Sequence, residues 1–108
     1  MKRIAVALIF ALVLVPALLA NGSTVRGKFY RVDPYGRAYP AAGIQVRVIH
    51  PRYGATPMYA SGSDGMYYIP GLEPGPQTLE VWVTKEPRRY AIVVQPREFT
   101  DLPALRVD

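Results

Sequence analysis

The chain has 108 residues, with 13 lysines and arginines against 8 aspartates and glutamates, and no cysteine. That length holds one domain, and the missing thiols exclude disulfides, cysteine nucleophiles and thiolate metal sites. Basic residues are spread along the chain, and beyond residue 3 the only adjacent pair is Arg88-Arg89. This excludes the clustered stripe of a nucleic-acid binder and leaves only weak attraction to anionic surfaces or polymers.

Lys2 and Arg3 open the chain, Ile4 to Val15 is an unbroken apolar run, and Pro16 interrupts the helical pattern before Ala17-Leu18-Leu19-Ala20-Asn21-Gly22. This is the order of a helical secretory signal peptide, assigned to residues 1–22. Cleavage after Gly22 places small residues, Ala20 and Gly22, at both positions a signal peptidase inspects; cleavage after Ala20 leaves the larger Leu18 upstream. The alternative is an uncleaved anchor, because Ile4 to Ala20 is 17 residues, the short end of the roughly 17–25 that span a bilayer. Pro16 and the small residues favour cleavage. The expectation is an exported protein, periplasmic or extracellular, that meets the membrane only during export. Without a cysteine it cannot carry a bacterial lipid anchor on its N-terminus.

Residues 23–108 show short period-two runs separated by Gly, Pro, Asp and Ser, and no ten-residue stretch of helical spacing. Thr24 to Val32 is the first predicted strand, with Val25, Gly27 and Phe29 on one face and Arg26, Lys28 and Tyr30 on the other. Asp33-Pro34-Tyr35-Gly36 is a turn. Ile44 to Val48 alternates cleanly, Thr56 to Ser61 forms a third strand, and Gly62-Ser63-Asp64-Gly65 is a tight turn. Met66 to Ile69 is the fourth strand, and Pro70 to Pro76 is a connection rich in proline and glycine. Leu79 to Val83 alternates again. Tyr90 to Val94 is apolar throughout and therefore expected to be more buried, and Ala104 to Val107 closes the chain. Seven short strands with turn signals about every ten residues predict an all-β, seven-stranded antiparallel sandwich of two sheets. The eleven prolines agree with this class and argue against helices.

Ser63-Asp64-Gly65-Met66-Tyr67-Tyr68-Ile69-Pro70-Gly71-Leu72-Glu73-Pro74-Gly75, running into Thr78-Leu79-Glu80-Val81, resembles the signature of the carboxypeptidase regulatory-like domain. Asp64, Gly65, Tyr67, Ile69, Gly71, Leu72, Pro74, Gly75, Leu79 and Val81 fall in place, and Gln77 departs where the family usually has an aromatic. Gly27-Lys28-Phe29 and Pro40 to Val46 are similar to the family's opening strand and its Pro-x-x-Gly-Ala-x-Val segment. The resemblance implies a prealbumin-like (transthyretin-like) sandwich in which the Pro-Gly connection crosses between sheets. Tyr67 and Ile69 then meet Leu79 and Val81 across the core. Members are usually not enzymes; they serve beside peptidases, receptors and surface proteins as folding aids, spacers or binding modules.

No enzyme chemistry emerges from the residues. Zinc hydrolysis needs several ligands at fixed spacing, and the only histidine is His50, expected as a solvated or hydrogen-bonded strand end. Ring-opening hydrolases on the same sandwich need several histidines and a Tyr-Arg-Gly-Ser ending, whereas this chain ends Leu105-Arg106-Val107-Asp108. Ser23, Ser61 and Ser63 lack a histidine partner. A Lys–Asn cross-link, which surface domains of similar fold can form, would start from Lys28, but the only asparagine is Asn21 in the leader. Asp33, Asp64 and Asp101 stand singly, unlike a calcium site. No catalytic residue, metal or cofactor is therefore expected. Strand parity turns Glu80, Trp82, Gln45 and Arg47 outward if Leu79, Val81, Ile44 and Val46 face in. The candidate binding residues are Trp82 and Arg47, stacked as a flat platform, with Tyr59 extending it. The bland reading is that Trp82 is covered and the pair is surface packing. The function expected is an exported, non-catalytic module binding a protein or glycan partner, and not nucleic acid. The alternatives are a purely structural subunit of an envelope assembly or a small hydrolase.

Overall fold

The computed structural model describes residues 22–108, so the leader assignment lies, but for Gly22, outside the described residues. Ten strands follow in order: β1 (Ser23–Val32), β2 (Ala38–Pro40), β3 (Gln45–His50), β4 (Gly54–Ala55), β5 (Tyr59–Ala60), β6 (Met66–Leu72), β7 (Gly75–Trp82), β8 (Arg88–Val94), β9 (Phe99–Asp101) and β10 (Leu105–Arg106). The described residues contain no helix.

Sheet one is built on β1. Its odd-numbered backbone groups face β6 and β2, as Phe29 N–H to the Gly65 carbonyl and Ala41 N–H to the Phe29 carbonyl show. Its even-numbered groups face the other way, where Leu102 N–H reaches the Arg26 carbonyl and Val107 N–H the Tyr30 carbonyl, bringing in β9 and β10. Both edges of β1 are therefore occupied. Sheet two runs β4-β3-β7-β8, with β5 also paired to β3.

The inward faces meet in one core. Val25 and Phe29 from β1 and Tyr67 and Ile69 from β6 pack with Val46 and Val48 from β3, Leu79 and Val81 from β7, Val94 from β8, and Val107. The connection after β6 crosses between sheets: β6 pairs with β1, and β7 pairs with β3 and β8. The expected connection Pro70–Pro76 is shorter than predicted: Pro70 and Gly71 lie in β6 and Gly75 and Pro76 in β7, leaving Glu73-Pro74 as the link.

Two local geometries are dictated by glycine. Gly65 closes the β5–β6 turn at φ +79°, and a Cβ there would stand 2.5 Å from the Phe29 carbonyl oxygen. Asp64 Oδ1 accepts the Met66 amide at 3.0 Å, which ties the turn back on itself. Gly27 lies under the Tyr67 ring, which stacks on Phe29 with centroids 4.6 Å apart; a Cβ on Gly27 would stand 2.5 Å from the Tyr67 hydroxyl oxygen. That hydroxyl is buried without a partner, and burial pushes its pKa well up. Gln77 is buried and donates from Nε2 to the Glu73 carbonyl at 2.5 Å.

Several expectations are corrected. Thr56–Ser61 is not one strand. Pro57 has no N–H for a ladder, and Thr56 folds against Val48, donating its amide to the Val48 carbonyl and accepting the Val48 amide on Oγ1. Between residues 54 and 61, only Gly54–Ala55 and Tyr59–Ala60 pair with β3. Tyr90–Val94 is not buried throughout: β8 is an edge strand, Ile92 and Val94 face the core, and Val93 is 56% exposed. The sandwich is also not wholly antiparallel, since β9 and β10 run parallel to β1. β10 lies within the predicted closing run Ala104–Val107, whereas β9 and β2 were not predicted.

Candidate functional site

On the outer face of sheet two, Arg47, Glu80 and Arg89 stand directly opposite one another on β3, β7 and β8. Arg47 Nε donates to Glu80 Oε1 at 2.6 Å, Arg89 Nε to Oε2 at 3.0 Å, and Trp82 Nε1 to Oε1 at 3.1 Å. Glu80 points outward, as its parity requires, yet is only 1% exposed. Its cover is the arginines and the indole, not depth in the sandwich. Burial pushes its carboxyl up, but hydrogen bonds from Arg47, Trp82 and Arg89, with the Arg47 charge, outweigh burial and hold it below the usual carboxylate range.

The structure thus brings Arg47 and Trp82 together, but through Glu80 and not as the expected stack. The guanidinium–ring stacks among the described residues are Arg26 over Phe99 and Arg37 over Tyr35. Trp82 is half-buried on the outer side. Tyr59 does not join the pair: it stands opposite Val46, whose side chain is in the core, and packs against that core. Cross-strand partners share a face, so Tyr59 is on the opposite side of the sheet from Arg47.

The arrangement expected on sheet two exists on sheet one. Arg26, Lys28 and Tyr30 form the outward row of β1. Phe99 and Asp101 from β9 and Tyr68 and Met66 from β6 stand beside that row. The Arg26 guanidinium carbon lies 3.9 Å from the Phe99 ring centroid, while its Nε and Nη2 donate to the two Asp101 oxygens. The hydrogen bond from Arg26 and its charge hold the Asp101 carboxyl below the usual range. Tyr68, opposite Arg26 on β6, is 50% exposed. Farther along, Lys28, Tyr30, Ala38, Tyr39, Pro40 and Ala104 line a cleft of about 240 Å³. Lys28 is exposed and has no carboxylate partner among the described residues. Its outward position also removes it from any cross-link through the core.

The outward parity of Arg26, Lys28 and Tyr30 was readable. The contribution of Phe99 was not, because Gln95 to Asp101 shows no alternation and β9 pairs parallel with a strand some seventy residues earlier.

His50 ends β3 as a capping residue. Its Nδ1 accepts the amides of Arg52 at 2.9 Å and Tyr53 at 3.2 Å, and Nε2 lies 3.6 Å from Glu73 Oε1. With Pro51, Arg52, Pro74 and Pro76 these two residues line an open cleft of about 400 Å³. Among the described residues there is no group of three His, Asp or Glu side chains placed to hold a metal ion. Ser23 Oγ bonds Thr100 Oγ1, and Ser61 Oγ donates to the Ala41 carbonyl, so both serve packing.

No protein-family model matches the sequence, and no curated protein matches it. Among solved structures, it is similar to GBS52, a minor pilin of the Gram-positive pathogen Streptococcus agalactiae, at 14% identity and a TM-score of 0.58. That likeness covers 80% of this chain and 44% of the pilin chain, so the chain spans less than half of the pilin's length. A second similarity, to (S)-allantoin synthase, has 11% identity and a TM-score of 0.46 over 88% of this chain and 45% of that one. The first establishes a shared two-sheet β-sandwich; the second carries no argument.

Proposed function

We propose that the chain is a non-catalytic structural subunit of a cell-surface assembly, led out of the cell by residues 1–22 and acting as a sandwich of residues 23–108. The observation that carries this reading is the sandwich shared with a minor pilin over most of the chain. Two features agree with it. The one buried carboxylate among the described residues, Glu80, has both oxygens occupied by arginines and the indole. The one described histidine is spent on a turn. Within this reading the domain is a carboxypeptidase regulatory-like module: the Asp64-Gly65 turn and the crossing at Glu73-Pro74 support that assignment. β1 begins at Ser23, so cleavage after either Gly22 or Ala20 spares the strand. The second reading, binding of a protein or glycan, is favoured by the aromatic and basic outer face of sheet one.

The test is to express the full chain in a bacterial host, probe intact and lysed cells with an antibody to the domain, and sequence the mature N-terminus. Cross-linking in the intact envelope then reads its assembly. The expected result is a chain beginning at Ser23 or Asn21, outside the cytoplasmic membrane, cross-linked into species larger than a monomer. A cytoplasmic monomer retaining Met1 overturns the proposal.

A further inference from the structure

The outer face of sheet one has a charge and shape that the structural role does not use. Along β1, Arg26 and Tyr30 are four residues apart, roughly 13 Å at the usual strand rise. At one end, exposed Tyr68 lies beside Arg26 on Phe99. At the other, Tyr30, Tyr39 and Pro40 wall the cleft of about 240 Å³. Lys28 stands between the two aromatic stations and also lines the cleft.

Two of the acids near this row are already spent, and the third, Glu98, acts on Arg26. Asp101 closes on Arg26, and Asp108 is bonded by Arg106 and by the Val32 amide. Lys28 remains as the uncompensated cation. A ligand that fits must be extended, must offer flat apolar ring faces at two points, and must place a negative charge between them.

We propose that this face binds an acidic polysaccharide, a chain of sugars bearing carboxylates, with Lys28 reading a carboxylate and Tyr68 and Tyr30 stacking on sugar rings. This names the ligand class for the binding reading above and is independent of assembly. An acidic peptide fits less well. Extended peptides bind by adding a strand to an open edge, and both edges of β1 are filled. A nucleic acid needs several phosphate-contacting cations, and here one of the two central cations is held by Asp101.

The experiment titrates the purified exported protein with polygalacturonate, alginate and hyaluronate, using neutral dextran and polyglutamate as controls. At least one acidic polysaccharide binds, the binding weakens as salt rises, and neither control competes. Lys28→Glu weakens binding at least about tenfold, as reversing a charge beside an anion implies, and Tyr30→Ala weakens it severalfold. Lys85→Ala, in the loop after β7 of the opposite sheet, leaves affinity unchanged. Circular dichroism and the melting temperature of each variant separate lost binding from lost folding. If Lys28→Glu fails to fold, Lys28→Gln is read in its place. Failure of all three polysaccharides, equal binding of polyglutamate, or affinity indifferent to Lys28 overturns the proposal. A chain that assembles at the surface but ignores all three keeps the structural reading and loses this one.

Discussion

Replacing Glu80 by Gln tests whether the outer face of sheet two is held by charge. The side chain keeps its size but loses the charge that three donors share, leaving Arg47 and Arg89 facing each other across β7. Removing one member of a buried ion pair costs about 3–5 kcal/mol. Here the cover is thin: Arg47 is 33% and Arg89 63% exposed, so solvent screens part of the pairing, and we expect about 2 kcal/mol. In a domain this small each kcal/mol moves the melting temperature by about 4–8 °C, so the expected fall is about 8–16 °C. The arginines should rank below the glutamate, because either deletion leaves the carboxylate the other arginine and the indole: Arg47→Met about 1 kcal/mol, Arg89→Met less. The glutamate's folded pKa lies below its unfolded value, so its contribution is complete above the ordinary carboxylate range and is lost as pH falls through the lowered folded value. Thermal melts at pH 7 and in acid read both effects: the gap between wild type and Glu80→Gln is wide at pH 7 and closes as pH falls through the lowered folded value. A shift under about 2 °C at pH 7, or a cost for Arg89→Met equal to that for Glu80→Gln, would refute the clamp.

Gly27→Ala should destabilise by about 1–3 kcal/mol, the usual cost of overpacking, because the new methyl overlaps Tyr67. Tyr67→Phe alone should be neutral or slightly stabilising in urea unfolding, since it removes a buried hydroxyl with no partner, and it should partly rescue Gly27→Ala. Gly65→Ala should be worse than Gly27→Ala, because its methyl meets the Phe29 carbonyl, a backbone atom that cannot rotate away; equal soluble yield for the two variants would contradict this. Trp82→Ala should cost less than Glu80→Gln and leave the sandwich intact by circular dichroism, as it removes one of three donors to the carboxylate. His50→Ala should loosen only the turn at residues 51–53, read as faster amide exchange at Arg52 and Tyr53, because Nδ1 is the acceptor for both.

The parity of each strand was legible because side chains alternate whatever the strand pairs with. That is why Val25 and Phe29, Val46 and Val48, and Leu79 and Val81 could be placed inside, and Arg26, Lys28, Arg47 and Trp82 outside, from the residues alone. The Asp33 and Asp64 turns were legible for a similar reason: their hydrogen bonds are made within a few residues. Tyr59 failed because Pro57 broke the run that would have carried its parity. Val93 failed because an apolar run looks the same in a central and an edge strand.

Which outward side chains become neighbours is a property of strand order and register, and these depend on contacts between residues far apart in the chain. Glu80 meets Arg89 because β7 and β8 pair in a register that runs from Gly75 to Val81 of β7. Arg26 meets Phe99 and Asp101 because the chain's end returns to lie parallel to its first strand. Alternation and turn chemistry therefore determined the class of fold and the side of the sheet on which each residue lies. Only the tertiary structure decided that the guanidinium stacked on a ring from a neighbouring strand is Arg26 on sheet one and not Arg47 on sheet two, because such stacking requires two particular strands to be adjacent and local sequence carries no information about adjacency.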